Sequence, residues 1–71
     1  MGSQFHFVVE ALGELLIIVM EHRNEFYAVY KKASDAPQLM LMGRSPTNDH
    51  ALIAGAFQAA VSKGRELGWI V

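Results

Sequence analysis

The apolar and polar positions of this chain change period part-way along. Up to Met42 they favour strands, and from about Thr47 to Leu67 they have the spacing of a helix. The first part is organised around Glu14 to Lys32. An apolar run, Leu15-Leu16-Ile17-Ile18-Val19-Met20, leads into a polar knot, Glu21-His22-Arg23-Asn24-Glu25, and then into Phe26-Tyr27-Ala28-Val29-Tyr30. The β-branched and aromatic residues on both sides of the knot suit strands better than helices. A two-residue turn at Arg23-Asn24 makes the pair a hairpin, because Asn tolerates the positive φ that such turns need.

Residues 4–12 admit two readings. As a helix, Phe5, Val8, Val9 and Leu12 share a stripe, with Ser3 as N-cap and Gly13 just past the C-terminal end. As a strand, Phe5, Phe7 and Val9 share one face. The run Phe-His-Phe-Val-Val favours the strand, and so does Gly13, placed where a three-residue hairpin loop needs a left-handed residue. A rival continues the helical pattern from Phe5 through Leu12, Leu15, Leu16 and Val19 to about Lys32, giving a helical hairpin. It puts His22 and Arg23 on the buried seam and sets Ile17, Ile18, Phe26, Tyr27 and Val29 against their preference.

The two turns imply a register. Glu10 pairs with Glu14, so Val9 lies opposite Leu15, Phe7 opposite Ile17 and Phe5 opposite Val19. Across the second turn His22 pairs with Glu25, Met20 with Tyr27, Ile18 with Val29 and Ile17 with Tyr30. One face then carries Phe5, Phe7, Val9, Leu15, Ile17, Val19, Phe26, Ala28 and Tyr30. The other carries Val8, Leu16, Ile18, Met20, Tyr27 and Val29, rimmed by Gln4, His6, Glu10, Glu14, His22 and Glu25. Both faces are apolar at their centres, whereas a one-layer sheet with one wet face should alternate cleanly.

Residues 31–37 read as a loop that Pro37 closes, and Gln38 to Met42 as a further strand ended by Gly43. Ser45-Pro46-Thr47-Asn48-Asp49 marks the start of a helix. That helix, about Thr47 to Leu67, has Leu52, Ile53, Ala56, Phe57, Ala60, Val61, Gly64 and Leu67 along its stripe. Gly68 stops it, with Lys63 and Arg65 near its negative end. Away from the stripe lie Ala51, Gly55, Ala59 and Ser62, where a surface helix normally carries Lys and Glu. Either this is an Ala-rich exposed side, or another backbone, such as a second subunit's helix, comes close to it. Trp69-Ile70-Val71 is read as a short strand or a tail over the core.

Composition sharpens this picture. The chain has 71 residues, one small domain (1–71) at most, and 52% of them are apolar against 18% charged. Such a chain has little interior, so the apolar surplus points to a subunit interface. With no Cys there is neither a disulfide framework nor a thiolate metal site. The net charge of −1 gives no bulk sign of phosphate binding. The longest apolar run, six residues from Leu15 to Met20, falls far short of the roughly 20 that span a bilayer. The start lacks the basic residues of a secretory signal, so the expectation is a cytoplasmic protein without membrane contact.

Candidate chemistry is thin. His6, His22 and His50 have no i, i+4 partner and no Cys or HExxH context, so they read as turn and rim residues. A Glu10–Glu14 pair could share a proton or hold a cation, but solvent at a sheet rim screens it. There is no nucleophile–base–acid series and no phosphate-cradling Gly loop, so the expectation is a protein that is not an enzyme and takes no cofactor or metal. Lys31, Lys32 and Arg44 interleave with Phe26, Tyr27 and Tyr30, the kind of set that binds single-stranded nucleic acid by stacking and backbone contact. Glu21 and Glu25 oppose it.

The expected fold is α+β: a three- to four-stranded antiparallel meander on one long C-terminal helix, with the second sheet face used for self-association. That outline is similar in shape to several small dimeric nucleic-acid-binding and antitoxin-like domains, although the chain carries none of their signature residues. The expected role is a self-associating adaptor or inhibitor of a larger protein partner. Its interface is expected to draw on Val8, Leu16, Ile18, Met20, Tyr27, Val29, Ala51, Gly55 and Ala59. The alternative is a single-stranded nucleic-acid-binding or antitoxin-like regulatory domain.

Overall fold

The computed structural model describes residues 5–35 and 37–70, so expectations resting on positions 1–4, 36 and 71 lie outside the described residues. Four antiparallel strands follow one another: β1 (Val8–Leu12), β2 (Leu16–Glu21), β3 (Phe26–Lys32) and β4 (Leu39–Arg44). They form an open meander in the order β1-β2-β3-β4, and one long helix, α1 (His50–Glu66), follows them. The α+β outline is therefore as the residue pattern implies. The helical hairpin is overturned, because the β-branched and aromatic runs pair as strands.

The β2–β3 register is the expected one, with Met20 opposite Tyr27, Ile18 opposite Val29 and Ile17 opposite Tyr30. Its turn is not. A 3-10 turn covers His22–Asn24, and the left-handed position falls on Glu25, at φ 49°, instead of on Asn24. The Glu21 carboxylate explains this: it accepts from the backbone N–H of Asn24 at 3.2 Å and from its side-chain Nδ2 at 3.2 Å, which draws the turn back over the strand end.

The first hairpin is displaced. Val9 pairs with Val19 and Glu10 with Ile18, so Glu10 and Glu14 are not partners. The turn opens at Gly13 (φ 61°) instead of closing there, and β1 runs from Val8 to Leu12. A displacement of four residues is even, so it leaves each side chain on its expected face. Phe5 and Phe7 precede β1, with ring centroids 5.9 Å apart, and pack on the core without being part of the strand.

Lys31 and Lys32 belong to β3 and not to the loop after it. Between β3 and β4 the register slips by one at Val29/Tyr30, leaving Met42 as the extra residue of a bulge. The helix begins at His50, later than its sequence suggests. The Thr47 hydroxyl accepts from the Asp49 N–H at 3.1 Å in a turn before the helix, and Asp49 then caps it by accepting from the Leu52 N–H at 3.1 Å. At the far end Gly68 (φ 77°) donates to the Arg65 carbonyl at 3.1 Å, and Trp69 to the Gly64 carbonyl at 2.8 Å. This pair of bonds ends a helix by satisfying its orphan carbonyls. Trp69 then lies against the core as a tail and not as a strand.

The helix sits mainly over β2 and β1. Leu52, Ala56, Ala60 and Gly64, one turn apart, are its buried line. They meet Ile17, Val19, Phe26, Ala28 and Tyr30 from the sheet. Small side chains at three of those four helix positions let the two layers approach closely. Gly55 lies to one side of that line, where an added Cβ would stand 2.8 Å from Cε2 of Phe7. The neighbour that needs a glycine there is a ring of the same chain, not a second backbone.

Gly55→Leu should therefore destabilise the fold by about 1–3 kcal/mol through overpacking. In a Phe7→Ala background most of that penalty should vanish, as urea unfolding of the four variants will measure. An undiminished penalty in that background would place the crowding elsewhere.

Candidate interaction surface

Alternation and register divide the sheet into two faces. Val9, Ile17, Val19, Phe26, Ala28 and Tyr30 point to the helix and are mostly buried. Val8, Leu16, Ile18, Met20, Tyr27, Val29 and Met40 point the other way. No helix or strand among the described residues lies over this second face. Its central residues are shielded only by their neighbours in the sheet, and Tyr27 remains 49% and Met40 47% exposed. Its charged members are Glu10, on the outer strand β1, and Lys31, near the end of β3, so its middle is an apolar strip across β2 and β3.

The six strand residues expected at an interface thus share one surface, while the three helix residues do not join it. Ala51 is exposed, Gly55 is against Phe7, and Ala59 packs on the core. The basic and aromatic set is split as well. Tyr27 and Lys31 stand on the open face, whereas Tyr30, Lys32 and Arg44 are on the helix side. Tyr30 is 3% exposed, so it offers no ring for a base to stack on. Burial pushes its phenol up, and the charge of Arg44 opposes that rise.

One functional-looking group escapes the residue pattern. Glu21 is buried, the only charged residue that is so among the described residues. Its Oε2 accepts from the backbone N–H of His6 at 2.6 Å, while Oε1 takes the two Asn24 bonds. The carboxyl is held below its ordinary value, first by the His6 N–H, against the opposing effect of burial, and further by Asn24 and the Arg23 backbone. These bonds fasten the segment before β1 to the β2–β3 turn. The group is fully engaged inside the fold, so its part is structural. Among the described residues no three metal-ligating side chains cluster. No helix among them is long and apolar enough to cross a membrane.

Compared with known proteins, the chain matches no family model, no curated protein and no solved structure.

The Glu21 bonds set a pH dependence. A carboxyl held low in the folded state stabilises it above the unfolded value near 4.5, and that contribution is lost as pH falls through the lower folded value. Glu21→Gln should therefore melt below the wild type at pH 7, and the gap should narrow by pH 3. A gap that stays constant across this range would show that the charge is not what holds the turn.

Proposed function

We propose that this chain is a non-enzymatic, self-associating interaction module of the cytoplasm, an adaptor or inhibitor acting on a larger protein partner, in which two copies meet through the open face of the sheet. The observation that supports this reading is the uncovered strip of Leu16, Ile18, Met20, Tyr27 and Val29, apolar where a one-layer sheet would carry polar side chains. Burying about 500 Å² of it per copy is worth on the order of 10 kcal/mol at ~25 cal/mol per Å². Association costs roughly 4–15 kcal/mol, so two copies contributing together come out ahead. Sheets stack about 10 Å apart with side chains interdigitated, and the unbranched Met20 adapts to whatever lies opposite.

Nothing favours the nucleic-acid reading to the same degree, since its set is divided between the two faces and Tyr30 is buried.

Light scattering tests the proposal. Wild-type protein should have a mass at least twice the 7.9 kDa of one chain, and Met20→Glu should halve the wild-type mass. A single-chain mass for the wild type, or a mass that Met20→Glu leaves unchanged, sinks it. A mobility-shift titration in parallel should give no shift at micromolar protein; a salt-sensitive shift weakened by Lys31→Glu would favour nucleic acid instead.

A further inference from the structure

The sheet has a second unshielded feature, its β4 edge. Strand order leaves β1 and β4 at the borders. The Ala33 N–H donates to the Gln38 carbonyl and the Ser45 N–H to the Tyr27 carbonyl. Since antiparallel ladders alternate, Met40 and Gly43 bond inward to Lys31 and Val29, and the N–H and C=O of Leu39 and Leu41 point out of the sheet. Edges are normally blunted by Lys, Pro or inward charges. Leu39-Met40-Leu41-Met42 has none of these, and the bulge at Met42 leaves Leu39 to Leu41 in regular register.

We infer that β4 pairs edge to edge, antiparallel, with β4 of a second copy about a two-fold axis perpendicular to the sheet. The axis runs through Met40, and Leu39 exchanges backbone bonds with Leu41 of the other copy. Three observations select this occupant. First, the pairing is compatible in charge, because the axis sends the two Arg44 side chains to opposite ends. The β1 edge lacks that property: Glu10 lies at the middle of Val8–Leu12, and self-pairing would set it against its own copy. Second, the helix lies mainly over β2 and β1 and meets β4 at Gly64 and Leu39, so the flank around Leu41 stays open on its own side. Leu41 pairs with Tyr30, Phe57 lies 6.0 Å from the same ring, and the two are still 50% and 47% exposed. The two-fold brings the helix side of one copy against the helix side of the other, so Leu41 and Phe57 of each copy cover those of its mate. Third, Met40, Leu41, Met42 and Phe57 are each about half exposed, so the pairing takes a contiguous run of apolar side chains out of water.

This contact is separate from the open face, and the test keeps the two apart by working in Met20→Glu, with Tyr27→Glu as the substitute should the first fail to fold. With the face blocked, sedimentation at tens of micromolar should still give two chains, about twice 7.9 kDa. Hydrogen exchange should find the Leu39 and Leu41 amides protected, and adding Leu41→Lys should yield a folded single copy with both amides exchanging freely. A single-chain mass in the face-blocked variant overturns the inference. So does a two-chain mass with those amides unprotected, and so does an open-ended series of larger masses, the signature of β4 pairing with the β1 edge of the next copy.

Discussion

One helix covers one side of a four-stranded sheet, and everything else in this molecule follows from that shortage. The helix has a narrow buried line, Leu52, Ala56, Ala60 and Gly64, and its small residues bring it close to Ile17 and Val19. Closeness comes at the cost of breadth. A helix about 10 Å across cannot shield strands that are spaced nearly 5 Å apart over the whole sheet. It settles over β1 and β2, so the far side of the sheet and the flank near β4 keep apolar side chains in water.

The covered side is held together by more than apolar contact. Phe7 fills the space that Gly55 leaves, and the Glu21 carboxylate ties the backbone at His6 to the turn at Asn24. The segment before β1 is thereby fixed at two points, one greasy and one charged. A buried carboxylate without partners would be strongly destabilising, but every polar side-chain atom buried among the described residues has a hydrogen-bond partner. The polar knot thus serves as an anchor for the chain's beginning as well as a turn.

How much of this could be read from the residues depends on what each feature rests on. The β2–β3 register was legible because the polar knot centres the turn between Arg23 and Asn24, and alternation then puts Ile17, Val19, Phe26, Ala28 and Tyr30 on one face. The division into two faces was legible for the same reason, and it survived a four-residue displacement of β1 because alternation has period two. Turn chemistry was not: Gly13 supplies a positive φ at either end of a loop, and the sequence alone does not say which. Glu21 looked like one more acid in a polar knot, since its partners include a backbone N–H fifteen residues away. The role of Gly55 was half legible. The need for close approach could be inferred, but the approaching group was a ring, and only the packed structure identifies it. The β4 edge emerges only once strand order is known, because an apolar run on both sides reads equally well as a central strand.

The central claim is that the apolar surface left by a single helix requires a second molecule. Small-angle X-ray scattering of the wild-type protein tests it most directly. One copy has a Cα radius of gyration of 11.7 Å, and size scaling puts a compact pair at about 14 Å or more. The account predicts a particle of at least that larger size at micromolar concentration. A fully folded particle that keeps the single-copy radius from the most dilute to the most concentrated sample would contradict it.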